Sequence, residues 1–205
     1  MLRVVLATAN PAKAAEITVL LGSALDLLPR PLWLPDTPED GRTIEENAWA
    51  KAAAVVAATG LPAVADDTVL EVDALGGAPG LRSGRYAGEH AGEAANTDRL
   101  LRELAGVPER LRGAWVRTVA VLGFPDGTRL VGFGAARGTV TRQRRGATGF
   151  GYDAVFAPDE GDGRTLAEMS AEEKARYYCR GRAFRDLLAC LSDRGPAEDR
   201  PMSDR

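Results

Sequence analysis

Histidine and cysteine are almost missing from this chain: its 205 residues include one histidine and two cysteines. His90 stands among small residues in "YAGEHAGEAAN" and reads as an exposed loop residue. One histidine excludes a His-rich metal site, and nothing around it supplies the orienting partner of a His-based triad. Two cysteines cannot make a disulfide framework. If Cys179 and Cys190 share one terminal helix, about 16 Å of axial rise separates them, too far to bridge. Thiol ligation of a metal is equally unsupported. Long apolar runs are also lacking: none could cross a bilayer, and "MLRVVLATAN" has no signal-peptide core. The expectation is a cytoplasmic protein with no membrane partner. Net charge is small as well, at -3, which argues against non-specific binding to a nucleic-acid backbone. Any chemistry therefore falls to carboxylates and a hard metal ion.

What remains is the composition of a soluble globular protein, 45% hydrophobic and 27% charged. The length suits one core, open to division into two lobes. "LRVVLAT" reads as a strand, "TANPAK" as a turn, and "AAEITVLLG" as a helix. The Pro-rich "LLPRPLWLPDTPEDG" excludes regular helix and reads as a surface excursion. "TIEENAWAKAAAVVAATG" predicts a helix capped by Thr43, with Glu46 at the capping-box position and Gly60 at its close. "LPAVADDTVLEVDAL" reads as a strand carrying paired acids and then a second short strand; "NTDRLLRELAGV" reads as a capped helix. Two apolar strands meet at "PDG", a hairpin signature. "TLAEMSAEEKARYYCRGRAFRDLLACL" predicts a terminal helical stretch opened by Thr165 or Ser170, before a polar tail over 192–205 expected to be disordered. Early alternation with a later hairpin predicts an α/β protein with a mixed sheet.

Four loops concentrate unusual residues. "TANPAK" offers helix-start N–H groups and Lys13 to a phosphate. "ADDTVL" carries Asp66 and Asp67, which a strand would point to opposite faces; Glu46 on the preceding helix is the natural partner for Mg²⁺ ligation. "GAPGLRSGRYAG" holds Arg82 and Arg85, and "TGFGYDAVF" sets Phe150 between glycines, where its ring could meet a base. Taken singly, each also fits a structural role: a polar turn, a helix cap, a solvated loop or a core ring.

Together and in order, "VVLATANPAK", "EENAWAKA", "LPAVADDTVLEVDALGGAPGLRSGRYAG", "GFGYDAVF" and "EEKARYYCRGRAF" resemble the inosine triphosphate pyrophosphatase family over nearly the whole chain bar the tail. The resemblance implies an α/β fold with a mixed, elongated central sheet flanked by helices. Two lobes enclose a nucleotide cleft, within a single domain over 1–191. It also implies a homodimer and Mg²⁺-dependent hydrolysis of inosine, deoxyinosine and xanthosine triphosphates to monophosphate and pyrophosphate. By motif position Asp67 is the base and a metal ligand with Glu46, while Asp66 and Lys13 assist. Thr8, Ala9, Asn10, Lys13, Thr68, Arg85, Phe150, Gly151, Tyr152, Asp153, Lys174, Cys179 and Arg180 are the implied substrate-binding residues. Among them Phe150 stacks on the base, Asp153 fixes the nucleoside, and Lys174 and Arg180 face the base and phosphates. The chain departs from the family pattern at Ala9 for Gly, Thr68-Val69 for Ser-Gly, and Tyr178-Cys179 for Ser-His. Cysteine is a poor donor, so base selection changes with it. The same reaction on a different nucleotide in a specialised biosynthetic pathway is therefore an alternative. A nucleotide-binding protein without catalysis is a third, which the retained acids argue against.

Overall fold

The computed structural model describes residues 1–194. Seven strands form one mixed sheet: β1 (Leu2–Leu6), β2 (Leu25–Leu28), β3 (Ala63–Val72), β4 (Pro79–Gly80), β5 (Gly113–Gly123), β6 (Arg129–Val140) and β7 (Phe156–Pro158). Their order is β2-β1-β3-β5-β6-β7, with β4 paired to β3. β1 runs parallel to β2 and β3, because helices α1 (Pro11–Leu21) and α2 (Ile44–Thr59) carry the chain back across the sheet. From β3 onward the pairing is antiparallel. The β5–β6 hairpin closes at "PDG", where Asp126 Oδ1 accepts from the Thr128 N–H at 2.8 Å.

Side-chain alternation splits the core into layers. Val5, Ala63, Ala65, Val119 and Val121 face α2 and meet Ala48, Ala52 and Val55. Val4, Leu6, Val64, Ala120 and Leu122 face α1 and the last helix, meeting Ile17, Leu21, Phe184 and Leu187. A third cluster around Leu70, Val72, Val116, Val140 and Phe156 packs Leu100 and Leu104 at the far end. Each such fully buried aliphatic or aromatic side chain contributes about 1.5–3 kcal/mol.

Thr43 caps α2 as expected, accepting from the Glu46 N–H at 3.1 Å, and Gly60 ends it at φ 68°. Three expectations need correction. "LPAVADDTVLEVDAL" is one ten-residue strand, β3, followed by a single 3₁₀ turn, because β3 pairs with β5 continuously from Ala63 to Val72. Helix α3 (Glu93–Glu103) starts ahead of Asn96, whose amide is buried instead, accepting from Ala87 N–H at 2.7 Å and donating to Gly84 at 2.9 Å. The terminal stretch is two helices, α4 (Ala171–Tyr177) and α5 (Cys179–Asp193), broken at Tyr178 in extended backbone. Local propensity runs through that break; the close approach of the helices creates it. A Cβ at Gly181 would strike the Ala175 carbonyl, and one at Gly134 of β6 would strike the Cys179 carbonyl. These contacts seat the first turn of α5 flat on the sheet. Ser192 and Asp193 belong to α5, and the remainder of the expected tail, 195–205, lies outside the described residues. Among the described residues no helix is long and apolar enough to cross a membrane.

Candidate active site

A cavity of about 550 Å³ opens where α1, β3, the Arg85 and Phe150 loops and the start of α5 converge. On the α1 side, Asn10 caps the helix, its Oδ1 accepting from the N–H groups of Ala12 (2.9 Å) and Lys13 (3.2 Å), with Pro11 in the first turn. Thr8, Ala9, Asn10 and Lys13 line the wall. Lys13 Nζ reaches across to Asp66 Oδ2 at 3.3 Å.

The pleat of β3 separates the two aspartates. Asp66 turns toward α1 and α5, where its Oδ2 also accepts from Arg180 Nε (3.1 Å) and the Thr68 hydroxyl (3.3 Å). Its Oδ1 is buried without a partner among the described residues. Burial opposes ionisation of Asp66, but Lys13 and Arg180 override it and hold the carboxyl down at about 2. Desolvation pulls the Lys13 ammonium down, while Asp66 supports its charge. Asp67 turns toward α2, its Oδ1 2.9 Å from Lys51 Nζ and its Oδ2 accepting from Asn47 Nδ2 at 3.3 Å. Lys51 also meets Glu39 Oε1 at 2.5 Å, so one ammonium stands between two carboxylates. Burial works against the Lys51 charge, yet Asp67 and Glu39 raise its pKa overall. For Glu39, burial is likewise outweighed by Lys51, and its pKa is lowered.

At the opposite end, Phe150 sits between Gly149 and Gly151 in a loop held by Asp153, whose Oδ2 accepts from the Phe150 N–H (2.9 Å) and from Lys174 Nζ (2.6 Å). The Gly151 N–H donates to Glu93 Oε2 at 2.8 Å. Lys174 and Arg180 are buried, and both also pair with Glu16 of α1. Carboxylates and cations thus form one run from Asp153 through Lys174, Glu16 and Arg180 to Asp66. Burial pushes the Asp153 carboxyl up despite Lys174. Lys174 Nζ and Arg180 Cζ stand 4.9 and 5.0 Å from the centre of the Phe150 ring.

Of the residues expected at the site, Thr8, Ala9, Asn10, Lys13, Asp66, Thr68, Arg85, Phe150, Gly151, Tyr152, Asp153 and Arg180 line the cavity. Asp67 and Lys174 are not on the cavity wall: Asp67 lies on the α2 side of β3 beside Lys51, which does line the cavity, and Lys174 Nζ stands 4.9 Å from the centre of the Phe150 ring. Cys179 is placed elsewhere: it is fully buried with Sγ 3.0 Å from the Thr118 hydroxyl, and that hydroxyl is 2.7 Å from Thr68. Burial pushes its thiol up to about 11. It is part of the support behind β3. Glu46 is not brought to Asp67 either. Its Oε2 accepts from the Arg42 N–H at 2.6 Å and its side chain is exposed, because the helix N-terminus offers that carboxylate a free N–H close by. Among the described residues, no cluster of three or more His, Cys, Asp or Glu could hold a metal.

The sequence profile of the Ham1 family matches residues 4–190. The chain belongs to the Ham1 family. It is 48% identical over 198 residues to the dITP/XTP pyrophosphatase of Streptomyces avermitilis, covering 94% of this chain and 98% of that one. It is 44% identical over 197 residues to the dITP/XTP pyrophosphatase of Yersinia pseudotuberculosis, with 94% and 100% covered. A solved HAM1 protein from Coxiella burnetii superposes with a TM-score of 0.82 at 36% identity, over 94% of this chain and all of that one. Four residues of this Ham1 chain escaped the sequence reading: Glu16, Glu39, Asn47 and Lys51. Asn47 and Lys51 carried a usable signal, since they fall four apart on α2 and so share the face turned to β3. Glu16 similarly falls one turn after Lys13. Glu39 carried none, because an aperiodic Pro-rich loop has no pattern from which to read a direction.

Proposed function

We propose that this Ham1-family chain hydrolyses nucleoside triphosphates of deaminated purines, such as ITP, dITP and XTP, to the monophosphate and pyrophosphate. The identity to named dITP/XTP pyrophosphatases over nearly the full length of both chains supports the reaction. The observation that carries it at the level of residues is the divided aspartate pair, with Asp66 held between Lys13 and Arg180 and Asp67 sharing the Lys51 ammonium with Glu39.

The roles follow from those environments. The start of α1 and Lys13 bind phosphate, through free N–H groups and a fixed charge. Asp66, held ionised, keeps Lys13 and Arg180 in place, and so serves as their anchor rather than as a base. Asp67 accepts the proton of the attacking water as the α–β anhydride opens and pyrophosphate leaves. Phe150 stacks on the base, and Arg85, Tyr152 and Asp153 border the nucleoside.

The donors suit a hard divalent cation. Lys51 occupies a cation's place between Asp67 and Glu39, and Mg²⁺ is commonly held by one or two carboxylates with phosphate oxygens and waters. Asp67 and Glu39 would hold it, in place of the Asp67–Glu46 pair read from the sequence. When bound, the ion neutralises phosphate charge and polarises the anhydride. Glu39→Gln is expected to raise the Mg²⁺ concentration for half-maximal turnover by about tenfold or more, in the range of lost metal-site contacts. Glu46→Gln should leave it within about twofold, since that carboxylate makes only a local helix-end contact. A larger effect at Glu46 would return the assignment to that residue.

A panel of nucleoside triphosphates assayed for pyrophosphate release tests the function itself. ITP, dITP and XTP are expected to lead; preference for another nucleotide would change the substrate and keep the reaction. Binding with Mg²⁺ but without pyrophosphate release from any nucleotide would end the enzyme reading. The same proposal takes residues 1–191 as one catalytic domain. It places the protein in the cytoplasm as a homodimer, with nucleotide rather than nucleic acid or membrane as partner, in keeping with the net charge of -3. Sedimentation at micromolar concentration reads the dimer directly, and a monomer there would remove it.

A further inference from the structure

Tyr178 stands at the break between α4 and α5 (φ -87°, ψ 146°), and its side chain borders both the main cavity and a smaller, apolar one between α1 and α4. The residue is 8% exposed. Its ring centre lies 5.3 Å from Lys174 Nζ and 5.3 Å from Arg180 Cζ, the same two cations that stand over Phe150. The two aromatic rings therefore flank one pair of charges.

The polar groups nearby are already committed. Lys174 is paired to Glu16 and Asp153, and Arg180 to Glu16 and Asp66. Cys179 meets Thr118 behind the strand. The Tyr178 hydroxyl is the exception. Among the described residues no protein group hydrogen-bonds it, yet it is not one of the two enclosed side-chain atoms left unpaired, Asp66 Oδ1 and Arg145 Nε. It is therefore not fully enclosed, and the residue borders both cavities. A phenol that deep is costly without a partner, so its place favours a ligand that supplies one.

We propose that the Tyr178 hydroxyl hydrogen-bonds the edge of the nucleobase held in the main cavity. The proposal rests on the nucleotide reading of this cavity. Burial raises the phenol's pKa well above its ordinary value, so it stays protonated and able to donate. The base contact then falls to a tyrosine at a helix break, in a segment where Cys179 is buried off the cavity wall.

Calorimetric binding of inosine 5′-monophosphate and of base-free ribose 5-phosphate, to wild type and Tyr178→Phe, tests this without requiring turnover. The phenylalanine keeps the ring and should melt with the wild type. It is expected to weaken inosine monophosphate binding about tenfold, the worth of one buried hydrogen bond, with ribose 5-phosphate unchanged. Equal inosine monophosphate binding by the two proteins, or an equal loss for both ligands, would overturn the proposal. Wild-type protein that shows the predicted binding but releases no pyrophosphate from ITP would overturn the reaction and leave the base contact standing.

Discussion

Asp67→Asn is expected to lower pyrophosphate release from the best substrate by roughly 10²–10⁴-fold, the usual worth of a positioned general base. The proposed second role of Asp67 as a metal ligand places the expected result toward the larger end. Folding should be almost untouched. Asparagine keeps the shape of the side chain, and Lys51 retains Glu39 at 2.5 Å, so no buried cation is stranded. Steady-state pyrophosphate release measured alongside a thermal melt separates the two effects. Turnover within a few-fold of wild type would remove Asp67 as the base.

Its neighbour should behave in the opposite way. Asp66→Ala is expected to destabilise the fold by about 3–5 kcal/mol, the range for removing one partner of a buried ion pair. The melting temperature would then fall by on the order of 10 °C for a chain of this size. Asp66 Oδ2 is shared by Lys13 and Arg180, whose side chains are 16% and 2% exposed, and alanine leaves both without it. Glu16 still partners Arg180, which moderates the loss. The pH dependence has a definite sign. The Asp66 carboxyl is depressed from 3.8 to about 2, so its stabilisation is fully present above about pH 4. It is lost as pH falls through 2, and amounts to on the order of 2 kcal/mol. Wild type should therefore lose stability between pH 4 and 2 more steeply than Asp66→Ala. Parallel pH–stability curves for the two proteins, or an unchanged melt, would contradict the anchor role.

The contrast between adjacent aspartates comes from strand geometry. Period-two alternation already implied that Asp66 and Asp67 face opposite ways, and the sequence placed them together on a strand. Which face holds Arg180 and which holds Asn47 and Lys51 depended on α5 and α2 arriving from 114 and about 20 residues away. No local pattern records those arrivals. Glu46 shows the same limit from the other side. Its capping-box position was legible, but its carboxylate accepts from the Arg42 N–H, one residue ahead of the cap, rather than from Thr43. Glu39 was invisible in sequence because a Pro-rich loop has no repeat, and it became legible only through Lys51. At Tyr178, continuous helical propensity concealed a break imposed by the packing of Gly181 and Gly134.

By itself, then, the sequence determined the family resemblance, the mixed α/β class, the hairpin, the Thr43 and Ser170 caps and the loops that meet at the cavity. These rest on short-range chemistry: apolar periodicity, capping hydrogen bonds, and turn residues whose preferences act over a few positions. Only the tertiary structure decided that Lys51 joins Glu39 to Asp67, that Cys179 is buried against Thr118, and that Tyr178 and Phe150 lie close to the same two cations, Lys174 and Arg180. Each is a long-range pairing of charge or a close approach of backbone. Such pairings depend on where whole elements dock, which is settled by packing over the entire core.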